Sequence, residues 1–403
     1  MTAPSLMCLY YPQQLLPGLA AVIQLRRHEG VASTAPLLVL VWSDPGVAES
    51  VLRKREEAFE LLLAPFTWVR LVFMPPEHVR VNLSANLRVA TKARYLQQRF
   101  GANAFAAIYY AHDIGSDFFA QSAMQAFPRA TRVCFGDALG VVYSNAYYTD
   151  QTFPIAPLLR CLRRPVQTLR NILWRLKRRW TLPLPGDRLD AQYAALILPC
   201  DPGGDFLSGK RVLVVDQRTL RIVLDGLAGA VAHCVTATHS GVDVGVGARF
   251  VMLLGSFSES GLTTEPHECA MYVEAAQLHA PSGSVILLKA HPASYSGKVQ
   301  RIADALAERY RVEFAGNDAL PIEALRALVE NHRVISFSYS SVSLLYLYGS
   351  AVIHAMTTEM IEKYFPADTQ RWMHESNDLY LEQMEKARAL RVALHGTAEA
   401  VLA

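Results

Sequence analysis

The sequence predicts an α/β protein built from two successive β/α domains. The chain has 403 residues, which exceeds the usual size of one hydrophobic core. Short apolar runs alternate with longer amphipathic segments, and a second alternating series begins near Arg249. Because this alternation is typical of parallel sheets covered by helices on both faces, we predict one such sheet in each domain.

The first series supplies the N-terminal domain, which we place at residues 1–245. Two segments with helical periodicity, ESVLRKREEAFELLL and NLRVATKARYLQQRF, separate its early strands. Runs rich in β-branched and aromatic residues predict the strands. These runs are SLMCLYY, PLLVLVW, VRLVFM, AFAAIYY, TRVCFG, AALILPC and KRVLVVD.

The second series forms a domain that we place at residues 246–365, followed by a helical tail at 366–403. Its predicted strands are RFVMLLGSF, SVILLKAHP, RVEFAG, RVISFSYSS and AVIHAM, and the predicted helices between them are EPHECAMYVEAAQLH, GKVQRIADALAERY, PIEALRALVE and VSLLYLYG. In parallel sheets of this kind, ligands bind at the carboxyl ends of the strands.

Composition and missing motifs exclude several classes of protein. Apolar residues make up 51% of the chain and charged residues 19%, as in a well-packed globular protein. The six cysteines form no C-x-x-C pair, so we expect neither a zinc site nor a disulfide framework. The sequence also lacks the glycine patterns of NAD and P-loop proteins, a D-x-D at a strand end and an H-x-x-x-H on a helix. We therefore predict no cofactor and no metal.

The stretch VILLKAHP carries the first candidate site. A buried strand here delivers Lys289 and His291 to its carboxyl end, where Pro292 stops the ladder. A histidine beside a lysine suits a phosphate leaving group, because the imidazole donates a proton near neutral pH and the lysine stabilises negative charge. The alternative is a surface loop with a chance histidine.

Two serines form the second candidate. Ser340 and Ser341 fall between a strand and a helix in VISFSYSSVSLLYLYG. Hydroxyls and free N–H groups at a helix N-terminus make an anion site, but a serine there also serves as a simple helix cap. In addition, Gly255 and Ser256 follow the strand that opens the second domain, a usual place for backbone contacts to a nucleotide.

The N-terminal domain offers two candidate acids. Asp137 follows a buried strand in RVCFGDALG, where it is placed to act as a general base or to cap a turn. His112 and Asp113 follow the preceding strand, and Asp113 is the reserve base or an acceptor contact.

Taken in order, GDALG, KAHP and SYSS resemble the acidic-Gly, H-P and Ser-Ser/Thr motifs of bacterial sialyltransferases, most closely the capsule polysialyltransferase family. The resemblance covers roughly residues 100 to 360. It implies the GT-B fold, in which two Rossmann-like domains face a cleft and helices end the chain. Periplasmic binding proteins and several epimerases share that outline.

The resemblance also implies roles for the residues. Asp137 becomes the base, His291 donates to the cytidylate phosphate, and Ser340 and Ser341 bind that phosphate. Lys289 is an added contact inferred from its placement. The chain departs from the family where two acids and a glycine are usual, because it has Gly136, Asp137 and Ala138.

A basic amphipathic segment lies at residues 160–180. It carries eight Arg or Lys and no acid, with apolar residues at intervals of three and four. An inner-membrane anchor, a track for a polyanionic glycan and an ordinary solvated helix all fit this pattern. Nucleic acid is not expected, since net charge is only +3 and no recognition fold accompanies the segment.

We therefore predict an inverting glycosyltransferase that moves a nonulosonic acid, first of all sialic acid, from its CMP donor to a glycan or glycolipid acceptor in capsule or surface polysaccharide synthesis. Without a basic signal region or an uninterrupted apolar span of about 18 residues, we expect it in the cytoplasm or on the inner membrane surface. Other CMP-activated acid sugars, such as Kdo, legionaminic or pseudaminic acid, remain open as donors. So does a non-catalytic assembly protein of the same fold.

Overall fold

The computed structural model divides the chain into two compact units, Met1–Val223 and Leu224–Ala403. The division falls inside a continuous helix, Gln217–His239, whereas the predicted boundary lies at 245/246. The second unit includes the residues predicted as the helical tail. The structure describes residues 3–42, 49–74, 85–113, 117–136, 139, 191–200, 207, 209–239, 249–292, 294–316 and 318–399.

The first unit is built on a seven-stranded sheet whose paired strands are all parallel. The central strands have the sequences SLMCL, LLVLV and AIYY and are buried at every position, which is why they form continuous, mainly apolar runs. The strands are β1 (Ser5–Leu9), β2 (Leu37–Val41), β3 (Val69–Phe73), β4 (Ala107–Tyr110), β5 (Thr131–Cys134), β6 (Tyr193–Leu196) and β7 (Arg211–Val214). Their order is β3-β2-β1-β4-β5-β6-β7.

Helices accompany this sheet, and they were predicted only in part. The helices are α1 (Leu15–His28), α2 (Glu49–Leu63), α3 (Ala85–Phe100) and α4 (Phe118–Ala126), and α5 (Gln217–His239) crosses the division between the two units. The amphipathic pattern predicted α2 and α3. It missed α1 because that helix is buried over most of its surface and has no polar stripe. Gly18 lets α1 approach the sheet closely, since a Cβ there would meet the Met7 sulfur and the Phe135 ring.

The second unit contains a five-stranded parallel sheet in the order β10-β9-β8-β11-β12. Its strands are β8 (Arg249–Leu253), β9 (Val285–Lys289), β10 (Arg311–Phe314), β11 (Arg333–Ser336) and β12 (Val352–His354). Its helices are α6 (Glu265–His279), α7 (Ser296–Ala307), α8 (Arg326–Glu330), α9 (Ser340–Tyr348), α10 (Thr358–Tyr364) and α11 (Ala367–Glu399).

The predicted helix PIEALRALVE is wrong as a single element. It forms a 3₁₀ turn, Ile322–Ala324, and then α8, because Leu325 between them leaves the helical region with ψ 52°. Otherwise the predicted α/β class with a Rossmann-like sheet in each unit is confirmed.

Each of the two sheets has its own topological switch point. The chain first runs outward from β1 to β3 and then returns to place β4 on the other side of β1. In the second unit it does the same around β8, with β11 on the far side. Loops diverge at such a point and leave a crevice outside the carboxyl ends of the strands, which is where ligands bind in open α/β sheets.

Candidate functional site

The second unit brings most of the predicted site residues to its switch point. Gly255 and Ser256 follow β8, His291 follows β9, and Ser340 follows β11. Strand β8 lies between β9 and β11, so all three loops leave the same edge of the sheet. The Ser294 hydroxyl donates to the Gly255 carbonyl at 3.2 Å, which links the β9 loop to the β8 loop.

The backbone of Gly255 is occupied by the protein itself. Its N–H donates to the Tyr272 hydroxyl at 2.5 Å, and its carbonyl also accepts from Lys298 at 3.2 Å. A side chain at this position would meet the Phe257 ring. The Gly255 N–H is therefore not available for the predicted contact with a nucleotide. Half-buried Ser256 remains the candidate nucleotide-binding residue on this loop.

A buried ionic network, which sequence reasoning missed, holds the β8 loop. The Lys298 ammonium is fully buried and lies 2.7 Å from a Glu259 oxygen and 3.0 Å from a Glu268 oxygen. The other Glu268 oxygen accepts the Ser258 N–H at 2.8 Å, and Tyr272 donates to Glu268 at 3.1 Å. Because every charge has a partner, the network fixes the loop without leaving a bare charge in the interior.

A signal for this network is present in the sequence. Glu268 precedes the buried Met271 by three residues, and Lys298 precedes the buried Ile302 by four. Both charged residues therefore lie on the apolar faces of their helices, where an unpaired charge is costly. Charged residues on two apolar faces predict a buried pair.

His291 is half-buried and neutral at physiological pH. Burial and then the positive charge of Lys289 lower its pKa to about 4. A neutral imidazole still donates one N–H, but it carries no charge of its own. The Ser294 N–H donates to the His291 carbonyl at 2.9 Å, which places half-buried Pro292 at the second position of a turn.

Lys289 is directed into the protein. Its ammonium is buried and donates to the carbonyls of Asp318 at 2.9 Å and Ala290 at 3.2 Å. Burial lowers its pKa to about 8, opposed by the negative charges of Asp318 and Glu323. We expected the Lys289 ammonium to face the ligand. In the structure it is buried, and its positive charge lowers the pKa of His291. Direct contact with phosphate stays a prediction.

The two serines differ in their surroundings. Helix α9 begins at Ser340, after Tyr339 as the N-cap, so neither serine is the cap. The N–H groups of Ser341 and Val342 donate to the carbonyls of Ser338 and Tyr339 at 3.0 and 2.9 Å. The Ser341 hydroxyl is fully buried against His354, with Oγ and Nδ1 2.7 Å apart. Half-buried Ser340 is therefore the better placed of the two for a phosphate.

In the first unit, Asp113 is held as a structural anion. Its carboxylate is buried, accepts from the Tyr110 hydroxyl at 2.7 Å and forms an ion pair with Lys210 at 3.1 Å. Burial and the adjacent Asp113 charge raise the pKa of Tyr110. Half-buried His112 acts on another buried acid, Asp117, where its positive charge opposes the rise in pKa that burial causes. This geometry disfavours Asp113 as the base.

The predicted base, Asp137, lies outside the described residues, but the residue before it is described. Gly136 has a φ of +69°, and its N–H donates to the Ala111 carbonyl at 2.8 Å. A left-handed backbone of this kind favours glycine over a residue with a side chain. Gly136 therefore suits this backbone, where a residue with a side chain would be strained.

Residues 228–358 match the profile of the alpha-2,8-polysialyltransferase (POLYST) family. The predicted family resemblance is confirmed. The matched segment contains the β8 loop, the KAHP stretch and the two serines, and it excludes Asp137, His112 and Asp113. The polysialyltransferase resemblance therefore rests on the second unit, where the three loops meet.

Comparison with solved structures shows the fold. A UDP-GlcNAc 2-epimerase from Neisseria meningitidis, solved with UDP-GlcNAc bound, is similar over 98% of this chain and 100% of its own, with 13% identity and a TM-score of 0.50. A GT-B domain of a sialyltransferase from Photobacterium damselae is 12% identical over 92% of this chain and 96% of its own, with a TM-score of 0.41. A search of curated proteins gives no match. The predicted α/β GT-B fold class is confirmed.

Two further observations concern metals and membranes. Across the ranges that the structure describes, no group of three or more His, Cys, Asp or Glu side chains could hold a metal ion. Among the described helices, none combines the length and the apolar character needed to cross a bilayer. The basic segment 160–180 lies outside the described residues.

Proposed function

We propose that the protein is an inverting glycosyltransferase that moves a nonulosonic acid, first of all sialic acid, from its CMP donor to a glycan acceptor of a capsule or surface polysaccharide. One observation carries the proposal. The loops with Ser256, His291 and Ser340 leave one edge of a parallel sheet at its switch point, within the segment that matches the polysialyltransferase family.

In this proposal the donor phosphate binds at the carboxyl edge of the sheet, against these three loops. Neutral His291 donates an N–H to a phosphate oxygen, and the hydroxyls of Ser256 and Ser340 donate to others. The buried ammonium of Lys289 adds positive charge close to His291. Since binding a negative phosphate raises the pKa of the imidazole, the protonated ring, which donates from both nitrogens and carries a positive charge, becomes more populated once the CMP donor is bound.

The proposed transfer is a single displacement at the anomeric carbon of the donor sugar. The acceptor hydroxyl loses its proton to the Asp137 carboxylate, and its oxygen forms a bond to the anomeric carbon. The bond from that carbon to the phosphate oxygen breaks, and CMP leaves with the electron pair. His291 stabilises the charge that develops on the leaving oxygen. Attack opposite to the leaving group inverts the anomeric centre.

Several CMP-activated acid sugars fit the proposed donor site. The three loops are proposed to bind the phosphate and not the sugar. The same side chains would therefore bind CMP-activated Kdo, legionaminic or pseudaminic acid. Release of CMP from each donor separates these alternatives. A non-catalytic assembly protein would bind CMP and release none. The proposed place of work is the cytoplasmic face of the inner membrane, with residues 160–180 as the contact with lipid or with the acceptor.

Replacing Asp137 with asparagine is expected to reduce transfer by about 100-fold or more, because the acceptor proton loses its base. CMP affinity should stay within about twofold, since the change lies outside the matched donor segment. The matched variant is Asp113→Asn, which breaks the ion pair with Lys210 and should lower thermal stability more than turnover. Loss of activity in Asp113→Asn with full activity in Asp137→Asn would reverse the assignment.

CMP binding is expected to take up a proton through His291. The free imidazole has a pKa of about 4, so it is neutral above that value, and the bound phosphate raises the pKa. Between the free and the bound pKa, binding therefore takes up a proton and affinity rises as the pH falls. Calorimetry in buffers of different ionisation enthalpy, at about pH 5.5, measures this uptake. His291→Asn is the control, and equal uptake by both proteins would contradict the contact.

A further inference from the structure

A buried chain of three polar side chains connects the C-terminal helix to the serine motif. The Ser341 Oγ lies 2.7 Å from Nδ1 of His354, and Nε2 of the same ring lies 2.7 Å from Oδ1 of Asn377. The three residues come from three elements, α9, β12 and α11. Ser341 is fully buried, Asn377 is 5% exposed and His354 is half-buried, so both ends of the chain lie inside the protein and it is not an open catalytic triad.

The direction of the hydrogen bonds follows from the chemistry of the partners. The Asn377 oxygen only accepts, so Nε2 of His354 carries the proton and donates it. Nδ1 is then the acceptor, and the Ser341 hydroxyl donates to it. Burial lowers the pKa of His354, which keeps the ring in this neutral form. Each residue therefore fixes the next one in a single orientation.

A second arm of the same helix holds the residue before Ser340. The Tyr339 hydroxyl donates to the Gln383 oxygen at 2.9 Å, and Gln383 belongs to α11. The centroids of the Tyr339 and Tyr380 rings are also 5.6 Å apart. The Tyr380 ring is in turn perpendicular to the His354 ring, with a centroid distance of 6.3 Å. Helix α11 thus holds Tyr339 directly and Ser341 through His354.

Ser340 lies between these two anchors. We infer that the C-terminal helix sets the position of Ser340 for the donor phosphate, with His354 and Asn377 as positioning residues that act through Ser341. The inference rests on the proposed function, since it concerns the same donor site. It gives a role to the tail, for which the sequence offered none.

The reason is geometric. A hydroxyl contributes to phosphate binding only when it is held within hydrogen-bond distance of the ligand, and small displacements cost much of the effect. Ser340 starts its helix, where the N–H groups of Ser341 and Val342 bond only to Ser338 and Tyr339 just before the helix, so no earlier helical turn restrains this position. Its neighbours on both sides, fixed by α11, supply the missing restraint.

Two substitutions of His354 separate the two arms of the chain. The oxygen of asparagine can occupy the place of Nδ1, so His354→Asn keeps an acceptor for Ser341 and loses the link to Asn377. The amide nitrogen of glutamine can occupy the place of Nε2, so His354→Gln keeps the link to Asn377 and loses the acceptor for Ser341. Asn377→Ala removes the far end, and Asn377→Asp restores an acceptor there. His332→Gln is the control, because His332 is a buried histidine of the same unit that bonds to the Leu328 carbonyl.

Titration calorimetry with CMP, kinetics with CMP-sialic acid and thermal unfolding are measured for every variant. We expect His354→Gln and Asn377→Ala to raise the CMP Kd and the donor KM by about tenfold, with kcat within about threefold. His354→Asn should lose about as much affinity as Asn377→Ala, because both substitutions cut the link to the C-terminal helix, and Asn377→Asp should recover most of what Asn377→Ala loses. His332→Gln should lower the midpoint of unfolding and leave the Kd unchanged.

The outcomes distinguish this inference from the proposed function. If the wild-type protein binds CMP and the His354 and Asn377 variants bind it equally well while melting earlier, the chain is only structural and the inference is wrong. If affinity falls equally in His332→Gln, the effect is a general loss of stability, and the inference is again wrong. If the wild-type protein does not bind CMP, the proposed function fails and the inference fails with it.

Discussion

Replacing His291 with alanine is expected to lower kcat/KM for the CMP donor by about 100-fold or more, the range in which one positioned hydrogen-bond donor to a developing negative charge contributes. CMP affinity should also fall by about tenfold, because the neutral imidazole supplies an N–H to the bound phosphate. Steady-state kinetics and CMP titration give the two numbers. The fold should survive, since His291 is half-buried in a loop and not part of the core.

Two further variants test the reason for this loss. His291→Asn keeps a side-chain N–H donor near the same place and should recover part of the CMP affinity while kcat stays low. His267→Ala removes an exposed histidine from α6 in the same unit and should behave as wild type. Full activity of His291→Ala would show that the KAHP stretch does not contact the leaving group.

Replacing Lys298 with methionine is expected to destabilise the protein by roughly 3–5 kcal/mol, the usual cost of leaving a buried charge without its partner. The substitution removes the ammonium that Glu259 and Glu268 share and leaves Glu268 fully buried. The β8 loop also loses its contact to the Gly255 carbonyl, so CMP affinity should fall with stability. Urea denaturation and CMP titration of the same samples measure both effects.

The network itself provides the check on this expectation. The double variant Lys298→Met, Glu268→Gln removes a charge of each sign and should recover part of the stability lost in Lys298→Met. Lys363→Met is the matched surface control, because the Lys363 pair with Glu274 is exposed and should contribute little. Equal losses in Lys298→Met and Lys363→Met would mean that burial does not set the value of the pair.

Most of the fold could be predicted from the sequence because its strands are local patterns. A parallel strand buried on both faces is a short apolar run, and the run ending at Lys289 predicted both β9 and its carboxyl end. Helix α1 escaped prediction because it is buried over most of its surface and carries no polar stripe. The break at Leu325 depends on one backbone angle, which composition does not set.

The candidate site was predictable at the level of position but not of side-chain direction. The sequence predicted that His291 and Ser340 follow the ends of two strands, and in the structure both lie at the carboxyl edge of one sheet. It treated Lys289 and Ser341 as ligand-facing, whereas both are buried and bonded to the protein. Which way a side chain turns depends on partners that are distant along the chain, such as His354 for Ser341. Only the assembled fold reveals these pairs.

The measurement that tests the central claim most directly is the release of CMP from CMP-sialic acid in the presence of glycan acceptors, with the mass of the acceptor followed in the same reaction. We predict that each CMP released is matched by one nonulosonic acid residue added to an acceptor. Absence of release from any CMP-activated acid sugar, together with no thermal stabilisation by CMP, would contradict the claim that the second unit is a donor site.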